Sequence, residues 1–119
     1  GLYYFPVTQC RTQDSTSYGD DSTHTINIPS AGNCIGIPTT AEAYTINLTA
    51  IPGGSALPFV TVYPTGQGRP DTSILSAFEG QTVTGGGIVP AGLYGSIYVY
   101  AYRRTNVVVD VSGYFARRP

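Results

Sequence analysis

The 119-residue sequence contains no lysine, no methionine and no tryptophan, and only 11% of its residues are charged. Soluble cytosolic domains usually carry about 25% charged residues, so this composition points outside the cytoplasm. The same shortage removes the Glu, Lys and Arg from which helix exteriors are built. The net charge is −1 and all six cations are arginines. Binding a phosphate backbone takes a concentrated basic surface, so nucleic acid is not an expected partner. The pairs Arg103–Arg104 and Arg117–Arg118 read as solvated strand ends. No apolar run approaches the ~20 residues of a membrane-spanning helix, and no membrane insertion is expected. Gly1 leads straight into Leu-Tyr-Tyr-Phe with no basic n-region before it, so a secreted chain would be present here in processed form.

Groups that carry chemistry are equally scarce. Nucleophilic catalysis needs a base beside the nucleophile, and the only histidine is His24. Strand alternation through Ser-Thr-His-Thr predicts a surface position for it. The carboxylates stand in turn or strand-end contexts, where capping and ion pairing are the usual roles. Asp20-Asp21 lacks the alternating oxygen ligands of a calcium loop. Asp110 is different, because it interrupts a run of valines. A buried carboxylate needs a partner, and Arg11 is the expected one. No catalytic residue, metal or cofactor is therefore assigned.

What the chain does have is 15 glycines and 9 prolines spread along its length. They cut it into short segments, several of which alternate with period two. Strands are predicted over residues 2–7, 23–28, 43–50, 59–63, 73–78, 81–84, 87–89, 96–102 and 106–111. In 43–50, Tyr44, Ile46 and Leu48 oppose Thr45, Asn47 and Thr49. In 96–102, Ile97, Val99 and Ala101 oppose Tyr98, Tyr100 and Tyr102. Segment 106–111 is apolar on both faces and reads as a central strand. Residues 12–21 are polar and loop-like. Gly85-Gly86-Gly87 lacks the Lys and helix start of a phosphate loop; a bulge or close backbone approach is expected there. The sum is one all-β domain over residues 1–119. The expected architecture is an antiparallel, jelly-roll-like β-sandwich of about eight or nine strands.

Two cysteines, Cys10 and Cys34, read best as one disulfide in such a protein. Two buried free thiols are the alternative. A zinc site would need four ligands.

Several segments also match a known pattern. They are Phe5-Pro6-Val7-Thr8-Gln9-Cys10-Arg11 with Asp14, Cys34-Ile35-Gly36-Ile37-Pro38 and Asn47-Leu48-Thr49. They continue with Thr61-Val62-Tyr63-Pro64-Thr65-Gly66, the stretch 70–83 with Ser73, Leu75, Phe78 and Gly80, and Ile88-Val89-Pro90. The last is Val108-Val109-Asp110-Val111-Ser112-Gly113-Tyr114-Phe115. Across nearly the whole chain the sequence resembles a poorly characterised all-β module of secreted bacterial proteins, often found beside enzyme or repeat domains. The resemblance implies a Cys10–Cys34 bond and no catalytic residues. The chain departs from the pattern at the triple glycine, at one residue inserted after Cys34, and in having Ser15 where an arginine tends to follow Asp14.

Two functions fit. The first is a secreted structural subunit that assembles head to tail with copies of itself, as a filament or surface layer. The second is a carbohydrate- or cell-surface-binding module. Tyr98, Tyr100 and Tyr102 bear on both. If Ile97, Val99 and Ala101 face the core, the tyrosines form an open stripe, unless another segment of the chain covers them. The absence of tryptophan ranks glycan binding second. Leu2, Tyr3, Tyr4, Phe5 and Val7 make a terminal segment with two apolar faces, which cannot lie free in water. Residues 1–8 are therefore expected either as the first, edge strand of their own sheet or as a strand exchanged into a neighbour. Asn47 is expected to face solvent and begins a formal glycosylation sequon.

Overall fold

The computed structural model describes residues 1–70 and 75–118. Its strands are β1 (Leu2–Tyr18), β2 (Ser22–Asn27), β3 (Ala43–Ile51), β4 (Leu57–Pro64), β5 (Leu75–Ala77), β6 (Val83–Pro90), β7 (Ser96–Ala101) and β8 (Thr105–Arg117). Single 3-10 turns stand at Ile28–Ser30 and Leu93–Gly95. The protein is all-β, as its turn-rich, helix-poor composition demands.

The strands pair as though the chain were folded in half. β1 lies against β8, β2 against β7, β3 against β6 and β4 against β5, every pair antiparallel. Two further pairings, β3 with β8 and β4 with β7, complete two four-stranded sheets. Their orders are β1-β8-β3-β6 and β2-β7-β4-β5.

One buried cluster draws on both sheets. The first supplies Tyr44, Ile46, Leu48 and Ala50 from β3, with Val107, Val109 and Val111 from β8. The second supplies Ile97, Val99 and Ala101 from β7, with Val60 from β4. Full burial of such side chains contributes roughly 1.5–3 kcal/mol each. Period-two alternation is what sends these residues inward. β8 can be apolar on both faces because it sits between β1 and β3, where Val108 is also buried.

The structure corrects the sequence-based boundaries in β1 and β6. Residues 12–18, expected as loop, continue β1 to the fully buried Tyr18. Polar residues are tolerated there because β1 is an edge strand, and register shifts at 6/10, 11/13 and 13/16 re-aim its side chains. The two short strands expected at 81–84 and 87–89 are one, β6, which runs unbroken through the glycines without a register shift. A Cβ on Gly86 would lie 2.9 Å from the Ile46 carbonyl oxygen, so close approach, not a bulge, explains a glycine there. The start of the strand expected at 73–78 lies outside the described residues.

Residues 2–6 pair with residues 113–117 of the same chain, at the outer edge of the first sheet. Within this chain they form the edge strand of their own sheet. β8 runs to Arg117 and gives them a local partner that needs no second molecule.

Candidate functional site

The most telling group of the residues singled out above lies along the outer edge of β1. Cys10 and Cys34 are bonded, with Cα atoms 5.1 Å apart. The bond draws the loop 31–34 against β1. There the Asn33 backbone N–H donates to the Arg11 carbonyl at 3.1 Å, and the Arg11 N–H donates to Asn33 Oδ1 at 2.8 Å. Gly32, at φ +54°, passes so close that a Cβ would lie 2.1 Å from the Arg11 oxygen. The loop thus occupies the edge at Arg11. Residues 2–9 remain uncovered by any strand of the chain among the described residues.

That open stretch carries the apolar side chains of the N-terminal segment. Leu2, Tyr3 and Tyr4 are 47%, 49% and 44% exposed. Phe5 and Val7 are half-buried. Tyr4 packs on Phe115 with ring centroids 4.9 Å apart, and Phe5 stacks on Tyr114 at 5.2 Å. Tyr3, Tyr4, Phe5 and Arg118 line a cleft of about 480 Å³, with the Arg118 guanidinium 5.5 Å from the Tyr3 ring centre. A second depression of about 330 Å³ continues along the same edge past Val7 to Ile35, which is 92% exposed.

On the outer face of this first sheet, Arg11, Asp110, Asn47 and Gly86 fall in one cross-strand row. Arg11 Nε donates to Asp110 Oδ1 at 2.9 Å, and the contact with Asp110 raises the arginine's pKa. Asn47 shares this face with Thr45 and Thr49 and is half-buried. Thr45 Oγ1 lies 3.1 Å from the Tyr4 hydroxyl and 3.0 Å from Ser112 Oγ. The row is a polar, hydrogen-bonded surface between β1 and the bare glycines of β6.

Tyr98, Tyr100 and Tyr102 do not form the open stripe. Tyr100 is only 3% exposed, and Tyr98 and Tyr102 are half-buried. The cover comes from the same chain. Phe59 stacks on Tyr102 at 5.0 Å and leans on Tyr100 at 5.8 Å, while Tyr63 packs on Tyr98 at 5.2 Å. The Arg69 guanidinium sits 3.8 Å above the Tyr100 ring, and the Tyr100 hydroxyl donates to Asp21. That hydrogen bond is the main cause that raises the Tyr100 pKa. Sequence alternation gave the correct face but could not foresee that a residue after β4 would fold back over it.

His24 also differs from expectation. It shares the inner side of β2 with Ile26 and stacks on the buried Tyr18 ring at 3.6 Å. The misassigned loop at 12–18 hid that partner. Among the described residues, no three His, Cys, Asp or Glu side chains are grouped to hold a metal ion.

The turn between β6 and β7 went unnoticed in the sequence. Leu93 is 62% and Tyr94 84% exposed, and Tyr94 sits at φ +57°. A bulky residue in that region is strained and persists only where its surroundings fix it. Here Thr65 Oγ1 accepts from the Leu93 N–H at 2.7 Å, Ser96 Oγ donates to the Leu93 carbonyl at 2.6 Å, and Tyr44 donates to the Gly95 carbonyl at 2.8 Å. The signal was available: two large apolar residues between Gly92 and Gly95, in a turn where polar residues are usual.

No family model matches the chain, and no curated protein matches it. The geometry of its edges and faces is therefore what bears on function.

Proposed function

We propose that this chain is a non-enzymatic extracellular structural protein, a jelly-roll β-sandwich that assembles with copies of itself by strand addition and aromatic contacts. The observation that carries the reading is the open edge of β1 over residues 2–9, which bears Leu2, Tyr3 and Tyr4 near half exposure and has no charged residue. An edge strand is a template for another strand, and proteins that stay apart usually blunt it with lysine, proline or a covering segment. Pro6 is the one such device within residues 2–9. The nested strand order and the cluster fed by both sheets support the jelly-roll architecture, whose two sheets are built from eight strands in two Greek keys. The disulfide and the low charge suit an oxidising, extracellular setting.

A carbohydrate- or cell-surface-binding module is the second reading. It draws on the part-exposed Tyr98 and Tyr102, the latter under the Arg103 guanidinium. It is the weaker one, because Phe59, Tyr63 and Arg69 occupy the face a sugar ring would need. Sedimentation velocity and electron microscopy of the full chain across a concentration series separate the two. Growth of the particles into rows or filaments is expected. A chain that stays monomeric at high concentration and binds a glycan in a titration supports the second reading instead.

A further inference from the structure

The sheet β1-β8-β3-β6 has an even number of strands and is antiparallel throughout. Its two edge strands, β1 and β6, therefore run in opposite directions. A second copy set beside the first and turned to follow the sheet's twist brings its β1 antiparallel to β6, the same relation that every neighbour inside the sheet already has. We infer that the open edge of β1 in one copy pairs with β6 of the next, seating the Leu93–Tyr94 turn in the Tyr3, Tyr4, Phe5 and Arg118 cleft. This rests on the self-assembly reading above and names the two surfaces it uses.

Four features match the edges to each other. Their lengths agree: β6 is eight residues long, and the Asn33 contact at Arg11 leaves eight residues, 2–9, open on β1. Their levels agree as well. Tyr4, Phe115, Ala43 and Pro90 lie in one cross-strand row, so the aromatic corner of β1 and the 91–95 turn after β6 stand at the same end. Their faces agree, since Ile88 pairs with Thr45 and Tyr4 hydrogen-bonds to Thr45, which puts Ile88 and Tyr4 on the same outer face. Ile88 is 63% exposed and falls two residues from the level of Tyr4, a diagonal cross-strand position still within reach of an aromatic ring. Their charges agree too. The β1 corner carries Arg117 and Arg118, whereas residues 83–95 carry no charge and offer the Tyr94 ring to a guanidinium.

The glycines of β6 then have a use beyond their own sheet. With no side chains over 85–87, β6 itself presents only backbone there to Phe5, Pro6 and Val7 arriving along that edge. Pro6 takes one donor out of the new ladder and leaves the rest. An eight-residue edge is about 27 Å long, and each aromatic ring at its corner adds up to about 150–250 Å². The contact is then on the order of the ~800 Å² per partner of a standard interface. Because the two surfaces differ, each bound copy still offers one of them, and the contact passes from copy to copy along a row.

Two single variants of the full chain test this, Ile88→Lys on the β6 edge and Tyr3→Asp on the β1 edge. Each is expected to raise the concentration needed for assembly by about tenfold or more, as read by sedimentation, with an unchanged circular dichroism spectrum. Mixed in equal amounts they are expected to form dimers and stop, because each supplies the edge that the other lacks. If either variant is unfolded, Tyr94→Asp and Leu2→Asp replace the pair. Variants that assemble like the parent, or a mixture that yields no dimer, overturn this interface and leave self-assembly standing. A parent chain that never assembles overturns both.

Discussion

Arg11 and Asp110 face each other across β1 and β8, with Nε 2.9 Å from Oδ1 and Nη2 3.4 Å from Oδ2. The carboxylate is 6% exposed, whereas the arginine lies at the surface and also reaches Asp14 at 3.4 Å. Removing the cation leaves a buried carboxylate without its charge partner, which costs more than the pair itself contributes. Arg11→Gln is expected to lower the melting temperature, and the same change is expected to matter less in an Asp110→Asn background. Thermal melts of the four proteins check this; losses that simply add would show that the two residues do not act as a pair.

Tyr44 anchors the exposed turn from below. Its ring is fully buried and its hydroxyl donates to the Gly95 carbonyl. Tyr44→Phe leaves that carbonyl without its donor, at an expected cost of about 1–3 kcal/mol in urea denaturation. Hydrogen exchange of residues 92–96 is expected to accelerate as well. Unchanged exchange would mean that Thr65 and Ser96 hold the turn unaided.

Replacing Cys10 and Cys34 by serine is expected to cost about 3.5 kcal/mol, the chain-entropy value for a loop of this length. The same variant frees the 31–34 loop from the edge of β1. Amide exchange at Arg11 and Asn33 is therefore expected to rise faster than elsewhere in the sheet. A uniform rise across the protein would show that the loop holds without the bond.

High pH probes the two buried tyrosines. Burial pushes the hydroxyls of Tyr18 and Tyr44 up to about 12 from their ordinary value of 10. Between these values the unfolded chain gives up protons that the folded chain keeps. Stability is thus fully present below about pH 10 and is lost as pH rises toward 12, by up to about 1.4 kcal/mol per pH unit for each group. Urea melts from about pH 9 to about pH 12 measure the slope. In Tyr18→Phe and Tyr44→Phe it is expected to flatten; a parent curve already flat there would contradict the burial argument.

The period-two segments of β3 and β7 announced their faces because Tyr44, Ile46 and Leu48, and Ile97, Val99 and Ala101, alternate against polar or aromatic partners. The reading failed where tertiary contacts override local pattern. β1 beyond Cys10 is polar because it is an edge, and a sequence pattern cannot distinguish a solvated edge from a loop. β6 seemed broken at its glycines, yet the ladder to β3 carries it through. The covered tyrosine face depended on Arg69 and Phe59, distant in sequence from β7. The two exposed apolar corners were half legible: the N-terminal segment stood out, whereas the Leu93–Tyr94 turn was visible only as an oddity between two glycines.

The disulfide also sets how the domain bears mechanical load. Leu2 and Arg117 are paired neighbours on antiparallel strands, so tension between the two ends of the chain peels β1 from β8 one residue pair at a time. Such unzipping loads each contact singly and yields at low force. The peel runs only as far as Cys10, where the covalent bond passes the pull to Cys34 and shields the chain between them. On the β1 side, a tug at the ends would free only the residues before Cys10 and leave residues 11–33 outside the path of the load.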